Sequence, residues 1–299
     1  MIGSALHVLG DQEEARRRIE PMFEATRGGA SGPLIRFEFD DQVVARSFHG
    51  RVLWVLGFPE RAVQSLELAV EAARASDHPT SMFFALSQAV CPVALLAGDP
   101  AASERFITML LDLSVQHARE AWGAWGHCFR GVLLMQRGDI EAGLSRLRAA
   151  FATQSETTVH IHYATFQAAI AQGLGRVGKV DEGLGMISDA LTRAEAHEER
   201  WYLPELMRVK GHLLLQLGEP ADAERHFEHG LHLARRQQSL SWELRCATDL
   251  ARLWRRQRET EAGRELLRAV YGRFSEGFET ADLQAARALL EDAETRSGT

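Results

Sequence analysis

The chain is 299 residues long, 45% hydrophobic and 25% charged, the composition of a globular protein with ample material for a buried core. Its net charge of −7 and pI near 6.0 argue against a general nucleic-acid binder, which needs a surplus of Lys and Arg on one face. Lys179 and Lys210 are the only lysines, so nearly all the positive charge is arginine.

Met1 to Gly10 lacks a basic segment leading into an apolar run. The longest apolar stretch, Ala89 to Ala97 with Pro92 inside it, is about half a membrane span. A cytoplasmic chain with no membrane contact is therefore expected. Residues 1–26 read as a first hairpin with a truncated leading helix, and a repeat that begins halfway looks cut from a longer chain. Arg27 to Pro33 is rich in Gly and predicts a loop over 27–34. Six further hairpins are expected over 35–278. In each unit a Gly closes an apolar helical segment, at Gly10, Gly57, Gly98, Gly138, Gly178 and Gly218, with Arg258 in the seventh place. The spacings are 47, 41, 40, 40, 40 and 40. Gly suits such a place because helices commonly end in a left-handed residue, and Asp11, Asp99, Asp139 and Glu219 follow, where an acid favours the next helix start. Past Phe274, a turn over Ser275 to Phe278 and an N-cap at Thr280 lead into a capping helix over 279–296, with Leu283, Ala286, Leu289 and Leu290 to seal the stack.

Two columns of small residues run in step with the Gly. One holds Ala15, Ala62, Ser103, Gly143, Gly183, Ala223 and Gly263; the other holds Gly3, Gly50, Cys91, Gly131, Ala171, Gly211 and Ala251. Gly inside a helix costs about 1 kcal/mol against Ala, so the columns imply that two helices touch there, with Gly211 opposite Ala223. A small pair twelve apart, followed four residues later by a large apolar residue, resembles the tetratricopeptide repeat (TPR), with a period near 40 in place of about 34. The expected fold is all-α: a right-handed superhelix, or α-solenoid, of about seven TPR-like hairpins with no sheet.

No phosphate loop, strand-linked dinucleotide fingerprint, HExxH or GxSxG occurs, so neither an enzyme nor a cofactor is expected. Cys91, Cys128 and Cys246 are far apart and read as buried apolar residues. His226, His229 and His232 share a helix face, but with no Cys or carboxylate tied to them a solvated face is the better reading; His160 and His162 are read the same way. Met82, Trp122, His162, Tyr202 and Trp242 share one column, read as packing between hairpins rather than a ligand cage. The TPR resemblance implies that leading helices line a concave groove. Carried onto this register, the groove places hold Ser47, Arg51, Gln88, Trp125, Cys128, Thr165, Gln172, Glu205, Arg208, His212, Arg245, Thr248, Arg252, Arg255 and Arg256. The candidate ligand-binding residues among them are Trp125, Gln172, Glu205, Arg208, His212, Arg245 and Arg252. Their arginines either hold a carboxylate or phosphate bidentately or form a solvated face.

Ser241 to Ala247, Asp249 to Trp254 and Val270 to Leu283 resemble the C-terminal end of bacterial multidomain signalling ATPases, including those fused to adenylate cyclase domains, and Trp201 to Arg236 is similar too. The resemblance implies a repeat region that senses a signal or contacts a protein or peptide partner; an acidic peptide or a small ligand would suit the groove. A free-standing TPR adaptor is the alternative. An enzyme of unfamiliar type using Glu205 and His212 is a third reading.

Overall fold

Gly10, Gly57, Gly98, Gly138, Gly178 and Gly218 all adopt positive φ, from 70° to 101°. At Gly57 the closure is explicit: its own N–H donates to Trp54 and the next residue's, Phe58, to Leu53, so the last turn's carbonyls are satisfied as the chain reverses. The computed structural model describes residues 2–23, 35–36, 38–154, 162–257 and 260–297; the loop Arg27 to Pro33, His160 and Arg258 lie outside them. The helices pair as α1 (Ile2–Leu9) with α2 (Gln12–Ile19), α3 (Asp41–Leu56) with α4 (Pro59–Ala75), α5 (Pro79–Ala97) with α6 (Pro100–Gln116), and α7 (Glu120–Gln136) with α8 (Ile140–Ala152). The remaining pairs are α9 (Tyr163–Arg176) with α10 (Val180–Ala196), α11 (Leu203–Gln216) with α12 (Pro220–Arg236), and α13 (Leu240–Gln257) with α14 (Thr260–Tyr271); α15 (Ala281–Ser297) closes the stack. This is a right-handed α-solenoid of TPR-like hairpins.

Between hairpins a different turn operates. Asp77, Ala118, Glu198 and Gln238 carry φ of 48° to 56° with no Gly to ease it. The expectation of no sheet is corrected: Ile35–Arg36 pairs antiparallel with Phe39–Asp40. Glu38, at φ 69°, turns the chain, and the Asp40 carboxylate then accepts from the N–H groups of Gln42 and Val43 to cap α3. Two-residue strands are too short to show alternation in sequence.

The small columns are helix contacts. A Cβ on Gly131 would come within 2.8 Å of the Gly143 carbonyl oxygen, and one on Gly211 within 2.5 Å of the Phe227 ring. Phe227, one turn beyond Ala223, is thus the wall that Gly211 meets. Column residues Met82, His162, Tyr202 and Trp242 are buried, which corrects the solvated-face reading of His162, and Trp122 stacks on Phe83 at 5.5 Å, as packing requires. The three cysteines are buried and free, and burial pushes the Cys128 thiol up to about 12.

Helix α5 is long and apolar enough to cross a membrane by length and composition, yet 78% of it is buried inside the array. It contains a π turn at Leu86–Val90 followed by Pro92. Pro92 has no N–H to offer the preceding turn, and the Gln88 carbonyl there accepts from Arg51 Nη1 at 2.6 Å.

The superhelix meets its own beginning. Ser241 Oγ donates to the Trp54 carbonyl at 2.5 Å, Arg61 Nε to Glu276 at 2.8 Å, and the Gly277 N–H to Glu60 at 2.9 Å. Trp54 packs edge-on against Trp242 with centroids 4.9 Å apart, and His7 lies 5.0 Å from Trp201. The concave face is therefore an interior.

Candidate functional site

Four leading helices and the closing helix aim polar side chains into that interior. Helix α11 brings Glu205, Arg208 and His212 round one face at i, i+3 and i+7, and α13, one repeat later, brings Arg245, Asp249 and Arg252. Gln172 comes from α9, Gln136 from α7 and Asp282 from α15. Around a cavity of about 260 Å³ stand Gln136, Gln172, Glu205, Arg208, Arg245, Thr248, Asp249, Arg252 and Asp282.

Charges alternate there. Arg208 donates to Glu205 through Nε and Nη2, at 2.7 and 2.8 Å, and to Asp249 through Nη1 at 2.7 Å. Arg245 donates to Asp282 at 2.7 Å, to Glu205 at 3.2 Å and to the Leu96 carbonyl at 2.8 Å. Arg252 reaches the other Asp249 oxygen at 3.0 Å, and His212 Nε2 lies 2.7 Å from Asp249 Oδ2. Burial pushes both carboxyls up, but the guanidiniums outweigh it: Arg208 and Arg245 hold Glu205 below the usual range, and Arg208 and His212 hold Asp249 far below it. Arg208 is raised in turn: burial opposes its charge, and Glu205 and Asp249 overcome that.

Five of the seven predicted residues, Gln172, Glu205, Arg208, Arg245 and Arg252, line this cavity, and His212 touches it through Asp249. Trp125 stands apart: its Nε1 donates to Gln154 at 2.7 Å and its ring meets His162 edge-on at 5.2 Å. The sequence reading missed Asp249, Asp282 and Gln136. The acid-to-arginine spacing of three, in Glu205 to Arg208 and again in Asp249 to Arg252, was the available signal for Asp249. Asp282 carried none, because it arrives from outside the repeat register. The described partners of His212 are Arg208 and Asp249, with no hydroxyl or thiol among them. His226 sits 2.8 Å from its own helix's Asp222 carbonyl, and among the described residues no group of three His, Cys, Asp or Glu could hold a metal.

A narrower cavity of about 90 Å³ adjoins the first and shares Gln136, Gln172, Glu205 and Arg245 with it. Its remaining walls are mostly aromatic and aliphatic, from Phe129, Phe166, Trp201 and Tyr202 to Leu95 and Leu96, with His162 and Thr165 among them.

Fold and interior together define a TPR-like α-solenoid whose concave face is enclosed and polar at one end. Solved structures share this fold. Apo RapI aligns over 97% of this chain and 96% of its own, with a TM-score of 0.58 and 9% identity. A Rap protein complexed with Competence and Sporulation Factor aligns over 85% of this chain and 75% of its own, with a TM-score of 0.58 and 13% identity. NprR in complex with its cognate peptide NprX aligns over 97% and 86%, with a TM-score of 0.54 and 14% identity. No family model and no curated protein sequence matches the chain.

Proposed function

We propose that the chain is a non-catalytic, peptide-binding regulator whose ligand enters the enclosed concave face at the 260 Å³ cavity. The observation that carries this reading is the convergence of charged and amide side chains from five helices on one recess. One neighbour of the same fold is a complex with its cognate peptide, NprX, and another a complex with Competence and Sporulation Factor, which supports it. The resemblance of the last hundred residues to signalling-ATPase repeat regions supports a sensor role within a larger signalling protein.

Within the cavity, Arg208 and Arg245 already hold internal carboxylates, whereas Arg252, 45% exposed, spends one bond on Asp249 and faces the opening. An acidic side chain of the ligand pairs with Arg252, and Gln172 takes a backbone amide. The test is a random heptapeptide display library panned on the full chain. Selected peptides are expected to carry Asp or Glu and to lose about tenfold in affinity on Arg252→Gln or Gln172→Ala. A library that yields no binder, or binders indifferent to both substitutions, overturns the proposal.

A further inference from the structure

The trailing helices α4 and α6 flank a groove of about 590 Å³ that shares no lining residue with either interior cavity. Val90, Val93, Ala94 and Ala97 of α5 floor it, and Leu66 and Phe106 add apolar surface from the flanks. The repeat register explains its depth. Four places and one place before the closing Gly, the other hairpins carry larger side chains, as in Leu134 with Arg137, Leu174 with Val177 and Leu214 with Leu217; this hairpin carries Ala94 and Ala97. Truncation to Ala leaves that volume open. One end is walled by Gly277, Glu279 and Thr280, which ring closure brings there: Glu60 accepts from the Gly277 N–H at 2.9 Å.

Four carboxylates stand around this apolar floor: Glu60 and Glu67 on α4, Asp99 at the head of α6 and Glu279 in the closing turn. All four residues are exposed. Their bonds within the chain go to neutral groups, Glu60 to the Gly277 N–H, Asp99 to the N–H groups of Ala101 and Ala102, and Glu279 to the Gln284 amide. Glu67 has no hydrogen bond or ion pair among the described residues. Arg105, the cation of this wall, lies over the neighbouring Phe106 ring at 4.4 Å and pairs with none of the four. The equivalent groove between α8 and the start of α10 is built otherwise. There Arg148 and Lys179 occupy the places of Glu67 and Asp99, and both pair with Glu182, at 3.7 and 3.2 Å. Charge is answered within the chain at that groove and left open at this one.

We propose that this groove docks a basic amphipathic helix of a partner protein. One bulky apolar side chain of the helix seats over Ala94 and Ala97, and its Lys or Arg side chains meet Glu60, Glu67, Asp99 and Glu279. Glu60 and Glu67 stand seven residues apart on one face of α4, about 10 Å along its axis, so the answering cations must be spread over a length that a helix supplies and a small amine does not. The chain's own net charge of −7 favours a partner of different composition over a second copy. The site does not depend on the interior peptide reading, since the two share no wall.

The experiment is fluorescence anisotropy of the full chain with a labelled helical peptide of Leu and Lys, its leucines on one face. Beside it stand a twin with Gln for Leu and another with Glu for Lys. The Leu and Lys peptide is expected to bind at least about tenfold more tightly than either twin. Ala97→Leu, which restores the side chain that Leu217 supplies at the same place of its repeat, should weaken it about tenfold. Glu67→Gln combined with Glu279→Gln should weaken it about three- to tenfold and flatten its salt dependence. Should Ala97→Leu not fold, the double variant, confined to exposed side chains, carries the test. Equal binding of the Gln twin would mark unspecific attraction to an acidic protein and overturns the proposal. So does an affinity unchanged by either set of substitutions, the absence of binding, or displacement of the peptide by hexylamine at equal concentration, which would assign the groove to a small amine.

Discussion

Arg208 and Arg51 are both guanidiniums of the inner face, the first half-buried and the second buried, yet one stands between two carboxylates and the other has none among the described residues. Around Arg208 every charge has been answered from within the chain, which makes that end a rigid bracket between α11 and α13. Around Arg51 the chain supplies a backbone carbonyl, two neutral histidines and an aromatic face. Paired charge holds hairpins together, and unpaired buried charge is a standing cost.

The sharpest way to break this contrast is to remove one group from each end. Asp249→Ala leaves Arg252 and His212 without their acid and Arg208 with Glu205 alone, so it is expected to lower stability by about 3 kcal/mol in denaturant unfolding. Arg51→Met orphans no carboxylate and sheds a desolvated charge, so its cost should be about 1 kcal/mol or less. Equal losses would mean that Arg51 is held as firmly as Arg208.

Packing provides the control. Cβ atoms on Gly50 and Gly211 would each come within 2.5 Å of the facing side chain, Leu66 and Phe227 respectively. Gly50→Leu and Gly211→Leu are therefore expected to cost alike, about 1–3 kcal/mol each. A cost at one site several times that at the other would locate the asymmetry in packing rather than in charge.

The smallest effect concerns pH. Glu199 is buried with neither oxygen hydrogen-bonded among the described residues, and burial, opposed by Arg193, pushes its pKa up to about 7. The folded state thus keeps a proton that the unfolded state gives up near its ordinary value of 4.5. Stability should fall as pH rises from about 4.5 to about 7, and Glu199→Gln should remove that slope. Unfolding midpoints of both proteins at the two ends of this window check it. An identical slope in the variant would show that another group sets it.

The repeat was legible because its physics is local: left-handed Gly turns and small contact residues recur every forty positions, and each is dictated by backbone geometry. The groove phase was legible for the same reason, which is why Arg208, Arg245 and Arg252 meet. What pairs with them was not. Asp282 enters from the closing helix, and the Leu96 carbonyl, the second acceptor of Arg245, comes from a hairpin 149 positions away in sequence. The turns at Asp77, Ala118, Glu198 and Gln238 escaped notice because none uses Gly. The interior character of Arg51 depends on ring closure, which periodicity within one hairpin does not encode.

That closure, with Glu276 and Gly277 held by Arg61 and Glu60 across 215 and 217 positions, sets this array apart from an open solenoid. In an open stack each unit touches only its neighbours, so units can be added, lost or melted one at a time and stability is close to a running sum. Here the circumference is fixed. An extra hairpin would push the ends past one another, a missing one would leave a gap, and fraying at either terminus strips contacts from the other. Folding must wait for the last hairpin to find the first, a long loop to close and a slow search by the usual dependence on sequence separation. The protein should accordingly unfold as one cooperative unit.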